Sequence, residues 1–407
     1  MSGQIALEDV IAEALERAFG GVVPETIGVA VSGGGDSMAL LDLLRLSGVA
    51  EICIASVNHG LREEAADELT LVAAYAAQYG LSHDILKWHW DGTGNLQAAA
   101  RDGRRAALRG WAVDRGIAYV AMGHTADDQA ETFLMRLARG SGVDGLAGMA
   151  EARLDGAVTW LRPALGARRE ALRVHLRAAG IVWADDPSNE DTRFDRVKAR
   201  QMMQTLAPLG LTVERLVQTS QHMARESDTL RWAAGQAKAR AAQVVGGDVV
   251  LDVDALEAMP ESMALRVVAD ALCFVSGETY RPRFKALKAA LESRKSVTLH
   301  GCLILSGRER VIITRELKAV QEKRVPVGTV WDGRWRVFGP EAAGLEVGVF
   351  GEGGFAQCPD WRAAGVSRQT LLASPAVWRD EELIAAPLAE FGDGWYAELV
   401  DGRAVFG

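Results

Sequence analysis

The sequence predicts an α/β protein: an open parallel, Rossmann-like sheet, then a helical domain, then a small C-terminal α+β domain. Three observations predict it. Over the first two hundred residues, short apolar runs alternate with helix-like runs, which is the pattern of βαβ units. The first apolar run ends in a glycine-rich turn that opens a helix. After about Leu206 the alternation stops, and from Val325 the chain is rich in Gly, Trp and short strands. Boundaries near 210 and 322 divide the chain into segments 1–210, 211–322 and 323–407. There is no internal repeat and no low-complexity tract.

The elements follow in order. Thr26–Val31 is a short apolar strand, and Ser37–Leu46 reads as the helix after the turn. Ile52–Val57 is a second strand, followed by a polar turn and an Ala-rich helix over Ala65–Tyr79. Asp84–Trp88 is a third strand, Asn95–Asp114 a helix, Ala118–Met122 a strand and Thr125–Ala138 a helix. In open parallel sheets ligands sit beyond the carboxyl ends of the strands, so motifs at those ends should converge. Further on, Val213–Ala242 reads as one long helix, with shorter helices at Asp254–Cys273 and Arg283–Leu291 and a hairpin over Val297–Thr314.

Composition narrows the class. A chain of 407 residues exceeds one typical domain of about 150. Hydrophobic residues at 49% and charged residues at 24% suit a globular core. The net charge of −9 argues against a uniformly cationic nucleic-acid coat but leaves room for local basic clusters. Cys53, Cys273, Cys302 and Cys358 lie far apart with no CxxC pair, which disfavours a zinc ribbon, a thiol redox motif or a disulfide scaffold. Glu8, Asp9, Glu13 and Glu16 exclude a signal peptide at the start. The longest uncharged stretch, Leu69–His83, has 15 residues and is too short and polar to span a bilayer. A soluble, cytoplasmic protein is expected.

The strongest chemical signal is Ser32-Gly33-Gly34-Gly35-Asp36-Ser37, between a strand and a helix. Glycines let the backbone approach an anion, and the helix N-terminus turns N–H groups and a positive dipole end toward it. The hydroxyls of Ser32 and Ser37 can add hydrogen bonds, and Asp36 suits Mg²⁺ better than phosphate. No Lys follows the last glycine, so this is not Walker A, and Met38 replaces the third glycine of the dinucleotide fingerprint. The plainer alternative is a turn with Asp36 or Ser37 capping a helix.

Other clusters follow strands too. Asn58-His59-Gly60-Leu61-Arg62 ends the second strand. Gly123-His124-Thr125-Ala126-Asp127-Asp128-Gln129-Ala130-Glu131-Thr132 follows Ala118–Met122 and opens a helix. Thr125 and Asp128 there form a capping-box pattern. Asp127, Asp128 and Glu131 fall on neighbouring helical positions and repel one another unless a cation, Mg²⁺ or an amine, sits between them. Arg101, Arg104 and Arg105 share a helical face, either solvated or facing phosphate. Asp185-Asp186-Pro187-Ser188-Asn189 is ordinary turn chemistry, followed by Arg193 and Arg196.

The glycine turn matches the SGGxDS fingerprint, by which the chain resembles the PP-loop family of ATP pyrophosphatases. These enzymes cleave ATP between its α- and β-phosphates to form an adenylate. The order SGGxDS, NHGLR, GHxxDDQxET, then Arg136-Leu137-Ala138-Arg139-Gly140-Ser141-Gly142, Arg162-Pro163 and the Asp-x-Ser-Asn turn is similar to the tRNA(Ile)-lysidine synthetase branch of that family, over roughly residues 25–200. Arg281-Pro282-Arg283, Leu299-His300-Gly301-Cys302 and Arg315-Glu316 resemble its downstream domains, with His300 where the family usually has Gly. The absence of CxxC pairs counts against a tRNA thiolase.

The resemblance implies ATP with Mg²⁺, free L-lysine and a tRNA(Ile) with a CAU anticodon. It also implies adenylation of the wobble cytidine at O2, then attack by the lysine ε-amine at C2. The product, lysidine, pairs with A instead of G. The catalytic candidates are Asp36, His59, Arg62, Asp127, Asp128 and Glu131. ATP falls to Ser32, Gly33, Gly34, Gly35, Asp36 and Ser37, and the metal to Asp36 and Asp128. Lysine falls to Asp127, Asp128 and Glu131, which the sequence does not divide from Mg²⁺.

Basic clusters supply the tRNA surface in an acidic chain. Arg162, Arg168, Arg169, Arg173 and Arg177 form one, and Arg193, Arg196, Lys198 and Arg200 another. Arg281, Arg283, Lys285 and Lys288 form a third with no acid among them. Arg101, Arg104, Arg193, Arg196, Arg281 and Arg283 are the tRNA candidates. Segment 1–210 is then the catalytic domain, and the two later segments contact tRNA. A homodimer is the assembly expected, without a membrane. The competing readings are another PP-loop synthetase, thiolating tRNA or amidating a small molecule, and a non-catalytic nucleotide-binding RNA module.

Overall fold

The computed structural model describes residues 6–48, 50–58, 64–89, 96–185, 193, 195–278, 280–293, 295–340, 343–400 and 406. The chain divides into two compact units, Met1–Asp228 and Thr229–Gly407. Among the described residues no helix is long and apolar enough to cross a membrane.

The first unit runs α1 (Leu7–Phe19), β1 (Thr26–Ala30), α2 (Gly35–Ser47), β2 (Glu51–Asn58), α3 (Glu64–Tyr79), β3 (Ser82–Lys87), α4 (Leu96–Asp114), β4 (Tyr119–Met122) and α5 (Ala126–Ala138). It continues with α6 (Val143–Leu146), β5 (Ala152–Asp155), β6 (Val158–Leu161), α7 (Arg169–Ala179) and α8 (Asp195–Leu206), then enters α9 (Val213–Ala241). The sheet has the order β3-β2-β1-β4-β6-β5. The first four pairings are parallel, and only the edge strand β5 runs antiparallel. Strand order therefore reverses between β1 and β4, and such a switch point opens a crevice at the carboxyl ends of both strands.

Strand alternation explains the two-sided burial. Ile27, Val29, Ile52 and Ile54 pack with Met38, Leu40, Leu41 and Leu44 of α2 on one face. Ala30, Cys53, Ala55 and Val120 pack with Leu108 and Trp111 of α4 on the other. A buried carboxylate sits in the first layer. Asp42 of α2, 1% exposed, accepts from the Tyr75 hydroxyl of α3 at 2.5 Å, Arg45 Nη2 at 2.7 Å and His175 Nε2 of α7 at 2.7 Å.

The second unit contains β7 (Ala242–Val245), β8 (Asp248–Asp252), α10 (Val253–Glu257), α11 (Glu261–Ser276), α12 (Phe284–Glu292), β9 (Val297–Leu299), β10 (Cys302–Ser306) and β11 (Arg310–Arg315). These strands form a five-stranded antiparallel sheet, β7-β8-β11-β10-β9, under α11. The segment expected to be mostly helical thus carries a sheet as well. The helix expected over Asp254–Cys273 is two, because Pro260 cannot continue α10 and instead precedes α11. The expected hairpin over Val297–Thr314 is three strands. His300 and Gly301, which join β9 to β10, have φ of 58° and 68°, a turn conformation that glycine adopts most readily. This left-handed backbone is the physical demand that His300 meets in place of Gly.

The rest is β12 (Val325–Pro326), β13 (Trp335–Phe338), β14 (Glu346–Val349), α13 (Gly351–Gln357), α14 (Arg368–Leu372), β15 (Pro375–Arg379), β16 (Glu382–Ala385) and β17 (Tyr396–Leu399). They make the sheet β12-β14-β15-β16 and the pair β13-β17 around Trp331, Trp335 and Val377. Buried polar contacts tie this part to β7–β11. Asp332 accepts from Arg315 Nε at 2.8 Å and Lys323 Nζ at 2.6 Å, and Thr370 Oγ1 donates to Asp248 at 2.6 Å.

The Asp42 contacts generate a stability prediction. Burial opposes its charge, but Tyr75, Arg45 and His175 outweigh it and hold its pKa below the ordinary carboxylate value. A depressed folded-state pKa stabilises above the unfolded value and is lost as pH falls through the acid range. Asp42→Ala strands three donors and should destabilise the first unit by about 2–4 kcal/mol at pH 7. Thermal unfolding at pH 7 and at about pH 2.5, below the unfolded carboxyl value of about 3.9, checks it: the gap between wild type and Asp42→Ala should narrow at the lower pH.

Candidate active site

The glycine turn is built by a division of labour. Gly33 has φ of 84°, and a Cβ there would lie 2.8 Å from the Glu68 carbonyl oxygen, so this position serves the loop itself. A Cβ on Gly34 would meet nothing nearer than Ser32 Oγ at 3.6 Å, so that backbone faces open space. Gly34 caps α2, whose first residues Gly35, Asp36 and Ser37 place the helix N-terminus against the crevice. Ser37 Oγ accepts from Ser32 N–H at 3.2 Å and donates to the Gly34 carbonyl at 2.9 Å, which braces the loop.

Across the switch point, the block after β4 does two things at once. Asp128 Oδ2 accepts from Thr125 N–H and Oγ1, both at 2.8 Å, while Asp128 N–H donates to Thr125 Oγ1 at 3.3 Å, completing the expected capping box. Asp128 Oδ1 faces the other way and accepts from Arg169 Nη2 at 2.9 Å. The same guanidinium donates through Nε to Asp36 at 2.9 Å and through Nη1 to Glu131 at 3.3 Å. The cation that the acid spacing demands is therefore Arg169 in this structure. Asp127 stands apart: it accepts from Arg169 N–H at 2.8 Å, capping α7, and pairs with Arg168. Glu131 is fully buried and also holds Arg200 Nε at 2.9 Å.

Electrostatics separate the two acids that face Arg169. Burial pushes the Asp36 pKa up against the pull of Arg169. Burial opposes the charge of Asp128 too, but Arg169, the Thr125 N–H and Arg196 bring its pKa below the usual value. Burial pushes His124 down to about 4, so it is neutral at pH 7, and its Nδ1 has no partner among the described residues.

These groups enclose a cavity of about 940 Å³, whose wall includes Ser32, Gly34, Gly35, Asp36, Ser37, His124 and Asp128. Among the described residues seven arginines line it (Arg104, Arg139, Arg169, Arg173, Arg193, Arg196 and Arg200) against the acids Asp36, Glu68, Asp128, Asp185 and Asp195. The wall is thus cationic in an acidic chain. Most of these arginines face acids: Arg139 pairs with Asp195, Arg173 with Asp185 and Arg200 with Glu131. Arg104 of α4 has no acid partner among the described residues, and burial alone pulls its pKa down.

Of the sequence-predicted set, Gly33, Asp127 and Glu131 do not line the cavity, and Arg101 is exposed on α4. His59, Arg62 and residues 186–189 lie outside the described residues. Arg281 and Arg283 belong to the second unit. The third basic cluster reads as acid-free, but the fold brings Asp270 to Arg281 at 2.6 Å and Glu261 to Lys288 at 2.6 Å. Arg169 reads as part of a basic surface, and its partner Asp36 is 133 residues away, so no local signal marks the pair.

Comparison with known proteins places the chain in a family. The PP-loop domain family matches residues 7–206. The tRNA(Ile)-lysidine synthase of Ruegeria pomeroyi is 45% identical over 399 residues, covering 96% of this chain and 95% of the relative. That of Methylobacterium sp. (strain 4-46) is 39% identical over 320 residues, covering 75% and 92%. Among solved structures, a U34-tRNA thiolase from Methanococcus maripaludis superposes with a TM-score of 0.46 at 16% identity, covering 54% of this chain and 78% of that one. With a glycine-turn cavity at the switch point and relatives matched along nearly its whole length, the chain belongs to the tRNA(Ile)-lysidine synthase family.

Proposed function

We propose that this enzyme uses ATP to adenylate the wobble cytidine, C34, of a tRNA(Ile) with a CAU anticodon and joins it to the ε-amine of L-lysine. The products are lysidine, AMP and pyrophosphate, and codon reading moves from AUG to AUA. The observation that carries the reading is one cavity wall that combines a glycine turn, the carboxylates Asp36 and Asp128 and, among the described residues, more arginines than acids.

In the first step the cytidine O2 attacks the α-phosphorus and pyrophosphate leaves. The Gly34–Gly35 backbone at the start of α2 receives the pyrophosphate, with Arg169 and Arg173 on the wall to offset its charge. Asp36 and Asp128 fit Mg²⁺, which takes one or two carboxylates and otherwise keeps water and substrate phosphates. When bound it neutralises phosphate charge. In the second step the lysine amine attacks C2, the C2–O bond to AMP breaks, and the new nitrogen loses a proton.

The lysine candidates then separate by position. Asp128 is on the wall and its depressed pKa keeps it anionic, so it steadies the amine. Neutral His124 adds no like charge. Asp127 and Glu131 act through the arginines they hold. Arg104 is an anion seat that no acid among the described residues occupies, and it suits the lysine α-carboxylate.

Three outcomes test this reading. Gly34→Val should leave the protein folded, because the Cβ has room, with a modest loss of melting temperature from the weaker α2 cap, yet abolish pyrophosphate release. Turnover at the wild-type rate would sink the cradle assignment. Asp36→Asn should slow adenylation by about 10²-fold or more, as for loss of a preorganised electrostatic group; an unchanged rate and Mg²⁺ dependence would refute its role. Arg104→Met should spare adenylation but raise the lysine KM about 10- to 100-fold, the scale of a lost charged hydrogen bond. A quenched-flow assay with labelled ATP should then show label accumulating on tRNA, and failure of both steps together would move Arg104 to the phosphates.

A further inference from the structure

Most large aromatic side chains in this protein are covered. Two in one five-residue stretch of the second unit are not: Tyr280 is 71% exposed and Phe284 is 64% exposed. Among the described residues, Phe284 is the one exposed phenylalanine of a chain that has ten. Leaving such rings in water forgoes the burial that normally justifies them. Folding therefore gives no reason for them.

Their surroundings are basic and braced. Between residues 277 and 288 the sequence has one acid, Glu278, and four cations, Arg281, Arg283, Lys285 and Lys288. The fold engages two of these cations: Arg281 donates to Asp270 at 2.8 and 2.6 Å, and Lys288 reaches Glu261. Arg283 and Lys285 are exposed and have no ion-pair partner among the described residues. Cys273 Sγ donates to the Tyr280 carbonyl at 3.4 Å, which fixes the backbone under the ring. The result is a turn running into the start of α12 that presents two rings, and two cations without an ion-pair partner among the described residues, to solvent.

We infer that Tyr280 and Phe284 stack unpaired bases of the tRNA while Arg283 and Lys285 contact the neighbouring phosphates. Rings flanked by cations are how proteins take hold of splayed bases, because every base has a π-face and every nucleotide a charge. Arg281, expected from sequence to touch tRNA, is instead a positioning residue that holds the loop. The inference rests on the proposed tRNA substrate.

The test measures binding of a tRNA(Ile) transcript to the full-length enzyme at several salt concentrations. Y280A and F284A should each weaken binding roughly 5- to 150-fold with no change in salt slope, because stacking releases no counterions. R283A should lower the slope by about 1. Y280F and F284W should restore most of the affinity, and a blunt RNA duplex should not distinguish wild type from the alanine variants. Melting temperatures should stay unchanged. Wild-type enzyme that fails to bind tRNA would defeat the functional reading. Wild-type binding with unaffected Y280A and F284A would defeat this inference alone. A dimer that both variants dissociate, at unchanged tRNA affinity, would reassign the patch to contact between copies of the chain.

Discussion

The first unit depends on one guanidinium. The carboxyl ends of β1 and β4 deliver Asp36, Asp128 and Glu131 into one small volume, and three carboxylates there repel one another. Arg169 lies among all three, with each of its nitrogens directed to a different acid. A Lys could not replace it, since a point charge does not offer three donors in fixed directions. Glu131 then has a clear place. It is buried behind the wall, where it fixes Arg169 and Arg200, and the wall it supports presents cations to the cavity.

How much of this was legible in the sequence follows from range. The glycine turn was readable because its chemistry is local: backbone conformation, a helix N-terminus and a strand before it all lie within ten residues. The capping box of Thr125 and Asp128 was readable for the same reason, and so were β1, β2 and β4, whose apolar runs are buried; the parallel strand β6, only four residues long, went unread. Helical spacing put Asp127, Asp128 and Glu131 near one another, and it required a cation. It could not say that the cation comes from α7, nor that Asp127 turns away to cap that helix. The β7–β11 sheet was harder still. Its strands are short and antiparallel, and β8 pairs with β11 at separations up to 64 residues (Val249 to Ile313), so the sequence shows a hairpin over 297–314 but not the strand that joins it from 248–252.

Charge was legible in amount but not in distribution. An acidic total of −9 coexists with a cationic cavity because the fold pairs cations selectively. A run of Arg and Lys in sequence therefore overstates what is available to a ligand. In the third cluster Arg281 and Lys288 are engaged by Asp270 and Glu261, and the electrostatic offer to a polyanion reduces to Arg283 and Lys285.

The position of Arg169 is itself determined, and the Asp42 site is the reason. Asp36 and Asp42 are six residues apart on α2, and Arg169 and His175 are six residues apart on α7. The two contacts, Asp36 to Arg169 at 2.9 Å and Asp42 to His175 at 2.7 Å, therefore join the helices at matched positions about 9 Å apart along their axes. A single contact would act as a pivot. Two contacts at equal spacing remove rotation and sliding together, because any movement that relaxes one stretches the other. Tyr75 adds a third helix to the inner point, and Asp127 caps the first turn of α7 at the outer one. The buried Asp42–His175 contact thus helps hold α7 beside α2, the helix pair from which Arg169 reaches Asp36. A site that must gather triphosphate, amine and nucleobase needs its charges fixed before they arrive, and the pairing of α2 with α7 fixes them.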